Sequence, residues 1–309
     1  MDKIRIFSYY ICVLILIFLS GIPISGFCQE CGFPITLTDD SGIEITLTEK
    51  PQRIISAAPS NTEIIFALEL EENLVGRSEF CNYPREAEKI ESIGKMSPLN
   101  LEKIASLEPD LLLSYGGFQL KDIPRLRELG FNVLVIQSES LQEMIQGIQL
   151  IAIACGIPEK GNQLTAGMKE RISGVTSRVD VLPVDQQPKV FAGSSYDTIY
   201  SPGGETLFHE LISLAGGKNI VGHLQGWVKI NPELVAQLEP DIILIPSGIM
   251  NPEEIFKVKQ DIRNHPGWSH IPAIKQNRIY AVNEDLFYRA GPRLVDGLEL
   301  LYEIFTESK

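Results

Sequence analysis

The sequence lacks the motifs by which many enzymes and nucleic-acid-binding proteins are recognised. It has no G-x-S-x-G nucleophile elbow, no phosphate-binding P-loop and no H-E-x-x-H motif. Its 309 residues carry a formal net charge of −13, and they include no block of basic residues that would neutralise a phosphate backbone. These absences argue against nucleic-acid binding and against an enzyme, and a hydrolase is kept only as a lesser alternative.

Histidine is scarce and unevenly distributed. The four histidines all lie in the second half of the chain: His209, His223, His265 and His270. A metal site that takes histidine ligands from both halves is therefore disfavoured, and the sequence predicts no resident metal and no cofactor. His223 is the best candidate for capping a metal carried inside a bound molecule, although a surface or packing role suits it better.

The one long apolar run lies at the N-terminus. A short basic region precedes the run 6–18, and small residues follow it. The run is short for a membrane span, and Gly21 and Pro23 interrupt it before the sequence turns polar. This pattern predicts a cleaved secretory signal over residues 1–28 and a mature protein outside the cytoplasm.

The cysteines leave two questions open. Cys28 lies where a bacterial lipoprotein would carry its lipid, but the bulky Phe27 before it favours a soluble, unlipidated protein. An exported compartment permits disulfides, so a bond between Cys81 and Cys155 is one prediction. Two free, buried thiols are the alternative.

An internal repeat is the most informative feature of the chain. Residues 99–117 read LNLEKIASLEPDLLLSYGG, and residues 230–248 read INPELVAQLEPDIILIPSG, which align without a gap. Asn100 and Asn231 are suited to cap a helix that ends at the following L-E-P-D. Each helix is followed by a short apolar run typical of a strand buried on both faces. The repeat predicts one α/β lobe in each half.

The segment between the two repeats is compatible with long helices. It predicts a spine helix and linker over residues 141–182, punctuated by Gly156 and Pro158. The predicted organisation is therefore an N-terminal α/β lobe at 29–140 and a C-terminal α/β lobe at 183–309, each with a parallel or mixed sheet. Facing lobes of this kind would form a ligand cleft at the carboxyl ends of their strands.

The motifs together resemble the periplasmic binding proteins with a helical spine, which serve ABC importers of vitamin B12, ferric siderophores and haem. The resemblance is carried by six stretches in both halves: 53–68, 81–84, 99–113, 201–220, 230–244 and 290–301. It implies a monomer with limited lobe movement that delivers a bulky ligand to permease subunits. The P-S-N-T-E pattern and Trp227 before the second N-x-E-L helix look most like the cobalamin-binding branch.

The resemblance and the predicted strand ends together predict a set of ligand-binding residues. The predicted set is Ser60, Asn61, Tyr83, Tyr115, Gly116, Tyr196, Trp227, Tyr288 and Arg289. The aromatic members suit the apolar faces and amide rim of a corrinoid. Arg289 suits an anionic ligand, such as a haem carboxylate, and keeps haem and siderophores open as alternatives. A signalling protein that has lost transport is a further, lesser alternative.

Two glutamates are predicted to contact the importer. Glu63 and Glu205 occupy corresponding first helices of the two lobes. In the family that the chain resembles, carboxylates at the lobe tips engage basic residues of the permease, and such complementarity fixes orientation more than it supplies affinity. A favourable interaction with the helix dipole is the alternative explanation for a glutamate in a first turn.

Overall fold

The structure is a computed structural model that describes residues 32–307 except 182, 184–185, 194–198 and 249–250. The predicted signal 1–28, with Phe27 and Cys28, and the predicted ligand-binding residue Tyr196 lie outside the described residues. No helix in the described part of the chain is long and apolar enough to cross a membrane.

The first lobe is built on a four-stranded sheet in which every neighbouring pair is parallel. The strand order is β4-β3-β5-β6, and an antiparallel hairpin of β1 and β2 precedes it in the chain. The strands are β1 Ile35–Thr38, β2 Glu44–Leu47, β3 Ile54–Ser56, β4 Leu74–Arg77, β5 Leu111–Tyr115 and β6 Val133–Ile136. The helices are α1 Pro59–Ala67, α2 Leu101–Ser106 and α3 Ile123–Glu128.

The second lobe repeats this arrangement. Its parallel sheet has the order β9-β7-β11-β12, and a separate antiparallel pair joins β8 to β10. The strands are β7 Lys189–Ala192, β8 Ile199–Pro202, β9 Lys218–Asn219, β10 Trp227–Ile230, β11 Ile242–Ser247 and β12 Ile279–Asn283. The helices are α6 Leu207–Leu214, α7 Pro232–Leu238, α8 Pro252–Arg263, α9 Pro272–Lys275, α10 Asp285–Tyr288 and α11 Leu294–Thr306.

The helix starts of the sequence repeat have the same structure in both lobes. Asn100 accepts a hydrogen bond from the backbone N–H of Lys103, and Asn231 accepts one from that of Leu234, so each caps its helix as predicted.

The L-E-P-D ends of the repeat also match. Asp110 accepts from the backbone N–H of Arg53 at 3.0 Å, and Asp241 accepts from that of Lys189 at 2.8 Å. The side chains of Arg53 and Lys189 in turn donate to carbonyl oxygens at the end of the repeat helix. The repeat therefore fixes the start of a central strand and the end of the helix beside it in each lobe.

Two helices fill the predicted spine segment. They are α4 Leu141–Ala154 and α5 Pro158–Val179, and the chain turns at Gly156, which has a φ of 68°. A Cβ at Gly161 would lie 2.4 Å from the Cβ of Ala152, so glycine permits the close packing of these helices. The 22 residues of α5 make it about 33 Å long.

The long helix α5 contacts both lobes. Lys160 near its start pairs with Glu69 of the first lobe at 2.5 Å. Arg171 pairs with Asp296 and Glu299 on α11 of the second lobe, each at 2.6 Å. The prediction of two lobes with parallel sheets joined by a long helix is therefore confirmed.

One hydrophobic cluster runs from lobe to lobe through α4 and α5. It includes Leu111 of β5, Ile148 of α4, Met168 of α5 and Leu244 of β11. The opposite faces of the two sheets bury separate clusters, to which Leu112 and Ile243 belong. Because the interior is continuous across the helical layer, a wide opening of the lobes would expose apolar core surface.

Candidate functional site

A cavity of about 410 Å³ lies between the two lobes at the carboxyl ends of their strands. The first lobe contributes Tyr115 from the end of β5, with Ser138 and Glu139 from the loop after β6. The second lobe contributes Glu205, Thr206, Phe208, Trp227, Phe287 and Tyr288, among others. Aromatic side chains dominate the second-lobe wall.

Two glycine-containing loops position Glu205 and Trp227. The backbone N–H of Gly203 donates to the carbonyl oxygen of Gly226 at 2.8 Å. A Cβ at Gly203 would lie only 2.2 Å from the carbonyl oxygen of Leu224, so this approach of two backbones requires glycine. The S-P-G-G-E-T loop and the Q-G-W loop are thereby paired, with Glu205 and Trp227 at the cavity.

The second-lobe wall is a set of packed rings. Trp227, half of whose surface is exposed, meets Tyr288 edge to face with ring centroids 5.1 Å apart. Tyr288 packs against Phe208 at 5.9 Å, and Phe208 stacks on the buried Phe287 at 4.5 Å. These contacts support Trp227 from behind and leave part of its surface for a ligand.

A buried glutamine positions Tyr115 on the first-lobe side. The side-chain oxygen of Gln119 accepts from the backbone N–H of Tyr115 at 2.7 Å. Its amide nitrogen donates to the carbonyl oxygens of Ala57 and Met96, each at 2.9 Å. The turn after β5 is thus fixed by one fully buried side chain, and Tyr115 packs against the exposed Phe118 at 5.9 Å.

Both tyrosines of the cavity keep their phenolic protons at neutral pH. Burial and then the charge of Glu139 raise the pKa of Tyr115. Burial and then the charge of Glu284 raise the pKa of Tyr288. The cavity therefore offers two neutral hydroxyl donors beside its apolar ring faces.

Glu63 lies in a buried polar cluster that joins the two lobes. It is only 3% exposed, and Arg293 holds both of its carboxylate oxygens at 2.9 and 2.5 Å. Arg289 adds a third contact at 3.3 Å and also donates to Asn82 at 2.7 Å. Glu63 belongs to the first lobe and both arginines to the second, so the cluster is an interlobe ion pair.

This placement corrects the prediction for Glu63. A carboxylate that docks on a permease must reach the surface, whereas Glu63 is enclosed and paired with two arginines. Its expected position at an exposed lobe tip is wrong. Glu205 is exposed, as the docking prediction requires, but it also lines the cavity and accepts from the side chain of Gln225 at 3.1 Å.

Two of the predicted ligand-binding residues belong to this interlobe cluster. The guanidinium of Arg293 lies over the ring of Tyr83, 3.7 Å from its centroid. Arg289 also pairs with Asp285 at 2.9 Å. Neither Tyr83 nor Arg289 lines the described cavity, and the cation predicted to meet an anionic ligand is already neutralised by Glu63 and Asp285.

Three further predicted residues lie outside the cavity lining. Ser60 and Asn61 are buried in the first turns of α1, and Asn61 is completely enclosed. Gly116 lies against Gln137, whose side-chain oxygen would be 1.9 Å from a Cβ at that position. Of the predicted ligand-binding residues, Tyr115, Trp227 and Tyr288 are the ones that the structure brings together.

The predicted disulfide is wrong. Cys81 and Cys155 are both free thiols and both buried. The sulfur of Cys81 is hydrogen-bonded with the hydroxyl of Ser78 at 3.2 Å, whereas Cys155 packs in the interlobe hydrophobic cluster. Burial raises the pKa of the Cys155 thiol to about 12. The alternative considered from the sequence, two free buried thiols, describes the structure.

Sequence reasoning missed Ser138 and Glu139. They follow β6, which reads Val-Leu-Val-Ile and is completely buried, so the end of a buried apolar strand was the available signal. Ser138 is 3% exposed, and its hydroxyl has no hydrogen-bond partner among the described residues. In the described chain no group of three or more histidine, cysteine or acidic residues is arranged to hold a metal ion.

Comparison with known proteins identifies proteins with this architecture. A family model described as "Periplasmic binding protein" matches residues 54–286. The uncharacterised ABC transporter substrate-binding lipoprotein YvrC of Bacillus subtilis (strain 168) is 34% identical over 276 residues, covering 88% of this chain and 85% of that protein. The vitamin B12-binding protein of Photorhabdus laumondii subsp. laumondii is 27% identical, covering 87% and 93%.

A solved structure supports the same comparison. The periplasmic haem-binding protein RhuT from Roseiflexus sp. RS-1, in its apo form, superposes with a TM-score of 0.73 at 28% identity. The superposition covers 82% of this chain and 97% of that one. The similarity therefore extends over both lobes and the helices between them.

Proposed function

Because the chain belongs to the family of periplasmic binding proteins, we propose that it captures cobalamin or a related corrinoid and delivers it to an ABC importer. The interlobe cavity is the observation that carries this proposal. Trp227, Tyr288 and Tyr115 provide ring faces for an apolar macrocycle, and the protonated phenols suit the amides at a corrinoid rim. The proposal assigns the chain a transport role and no reaction.

The alternative ligands are haem and ferric siderophores. RhuT is a haem-binding protein by name, and it has the same fold. A haem carries two carboxylates, and the described lining of the cavity contains no arginine, lysine or histidine to pair with them. This lack of cations, together with the vitamin B12-binding relative, favours the corrinoid.

Calorimetric titration of the purified protein tests the proposal. We expect cyanocobalamin or cobinamide to bind with a dissociation constant in the micromolar range or tighter, because large apolar faces enter an aromatic cavity. Haem and ferrichrome are titrated in parallel under the same conditions. Heat from ferrichrome without heat from any corrinoid would contradict the proposal and support the siderophore alternative.

Docking on the permease needs a carboxylate on each lobe, and the sequence repeat supplies a matched pair. Glu102 and Glu233 lie in the first turns of α2 and α7, and both are exposed. Because these helices end beside the starts of central strands, their first turns lie at the carboxyl ends of the sheets, as the cavity does. We propose Glu102 and Glu233 as the docking pair in place of Glu63 and Glu205.

The double substitution Glu102→Gln/Glu233→Gln is expected to lower ligand uptake, and importer ATPase stimulation, by about tenfold or more, because it removes oriented charge from both lobes. Ligand affinity of the isolated protein should be unchanged. Glu71→Gln/Glu239→Gln is the matched control, since it removes one exposed carboxylate per lobe at the opposite ends of the sheets. Equal uptake by both double variants would contradict the assignment.

A further inference from the structure

The described lining of the cavity contains two acidic side chains and no basic one. Glu139 of the first lobe and Glu205 of the second both line it, and both are exposed. Each accepts a hydrogen bond from a glutamine side chain at 3.1 Å, from Gln137 and Gln225 respectively. Neither forms a salt bridge with any residue of the described chain. Two negative charges therefore face the ligand without a cation beside them.

The basic residues near the cavity either pair with other acidic residues or line a separate cavity. Arg289 and Arg293 are paired with Glu63 and Asp285 in the interlobe cluster. Lys229 lies two residues after Trp227 on β10, but it lines a separate cavity together with Asn231 and Glu233. No arginine, lysine or histidine is among the described residues that line the site.

The neutral groups of the cavity act in the same direction. The faces of Trp227, Tyr115 and Tyr288 carry negative electrostatic potential, which attracts cations. The hydroxyl of Ser138 is nearly inaccessible to solvent and has no partner among the described residues. This enclosed hydroxyl adds no charge to the cavity wall.

We propose that the cavity discriminates among ligands by charge, binding cationic molecules most tightly, neutral molecules less tightly and anions least tightly. The inference rests on the proposed function, because it concerns the ligand delivered to the importer. Glu139 and Glu205 stabilise a positive charge placed between the lobes and repel carboxylates at the ligand rim. Among corrinoids, a cobalt(III) form with water as axial ligand is favoured over the cyanide form, because water leaves one more positive charge on the complex.

Three cobalamins that differ in net charge test this selectivity. Aquocobalamin carries one positive charge at mildly acidic pH, cyanocobalamin is neutral, and a cyanocobalamin monocarboxylic acid, with one rim amide hydrolysed, carries one negative charge. We expect affinity to fall along this series by about 3- to 10-fold a step at low salt, and the steps to shrink at high salt. The absorption spectrum of bound aquocobalamin is recorded to verify that no side chain replaces its water.

The variant Glu139→Gln/Glu205→Gln identifies the groups responsible. In this variant the ratio of affinities between successive cobalamins of the series should fall to about twofold or less, because the formal charges are removed while the ring faces remain. Glu71→Gln/Glu239→Gln removes the same number of charges far from the cavity and should leave the steps as they are in the unaltered protein.

The outcomes separate the two proposals. Charge selection would be overturned if the unaltered protein bound all three cobalamins with equal affinity. It would also be overturned if the differences in affinity were the same in Glu139→Gln/Glu205→Gln as in the unaltered protein. Either result would leave corrinoid binding intact. Failure of all three to bind would overturn the corrinoid proposal instead. In that case the same comparison is made with the neutral ferrichrome and the cationic ferrioxamine B, and equal affinities for this pair would overturn charge selection as well.

Discussion

Replacing Glu63 with alanine is expected to lower the free energy of unfolding by about 3–5 kcal/mol, the usual cost of removing one partner from a buried ion pair. The side chain of Glu63 is 2% exposed, and those of Arg293 and Arg289 are 12% and 15% exposed. Without Glu63, the two guanidinium groups keep only Asp285 as an acidic partner among the described residues. Chemical denaturation followed by circular dichroism measures the change.

The control for this substitution is Glu69→Ala. Glu69 also pairs with a cation, Lys160, at 2.5 Å, but its side chain is 74% exposed. Solvent screens such a pair, so its loss should leave the unfolding midpoint nearly unchanged. Similar destabilisation by both substitutions, or no destabilisation by Glu63→Ala, would contradict the role assigned to burial. In the double variant Glu63→Ala/Arg293→Ala, part of the lost stability should return, because one unpaired buried charge is removed as well.

The position of the ion pair also predicts where the native protein loosens. Glu63 is in the first lobe, and Arg289 and Arg293 are in the second, so the pair restrains the lobes across the cleft. In Glu63→Ala, amide hydrogen exchange should accelerate in α1 and around residues 289–294 before it does in the central strands. The continuous hydrophobic cluster that includes residues of α4 and α5 is retained in this variant, so the sheets should stay protected.

The sequence was sufficient for the architecture because its signals are local and are repeated. Asn100 and Asn231 cap helices, Pro109 and Pro240 end them, and the apolar runs after them are central strands. All of these features are set by neighbours along the chain, so two copies of one pattern indicated two lobes. The strand ends then indicated where a cleft would form, and Tyr115 and Trp227 both lie there.

The roles of Glu63 and Arg289 could not be predicted in the same way. In the sequence Glu63 resembles a glutamate at the start of a helix, but α1 begins at Pro59 and has no acidic residue in its first turn. The partners of Glu63 lie 226 and 230 residues away in the chain. Such a pairing depends on how two lobes meet, which no local pattern records. The free thiol of Cys155 is a similar case, because the core that encloses it is assembled from both halves of the protein.

Replacing Trp227 with alanine is expected to weaken ligand binding by about 30- to 100-fold, the loss typical of a central aromatic contact. The indole is half exposed, stands at the cavity and is braced by Tyr288, so it offers a large preorganised surface to a ligand. Since it is half exposed, its removal should change the unfolding midpoint little. Calorimetric titration with the ligand identified for the unaltered protein gives the affinity.

Tyr200→Ala is the matched control for Trp227→Ala. Tyr200 is 49% exposed and lies on β8, the strand paired with β10, but it does not line the cavity. If Trp227 acts through its own ring face, Tyr200→Ala should bind the ligand normally, and Trp227→Phe should retain an intermediate affinity. Equal weakening by Tyr200→Ala and Trp227→Ala would instead indicate that the β8–β10 pair, and not the indole, determines binding. An unchanged affinity in Trp227→Ala would remove the aromatic wall as the basis of recognition.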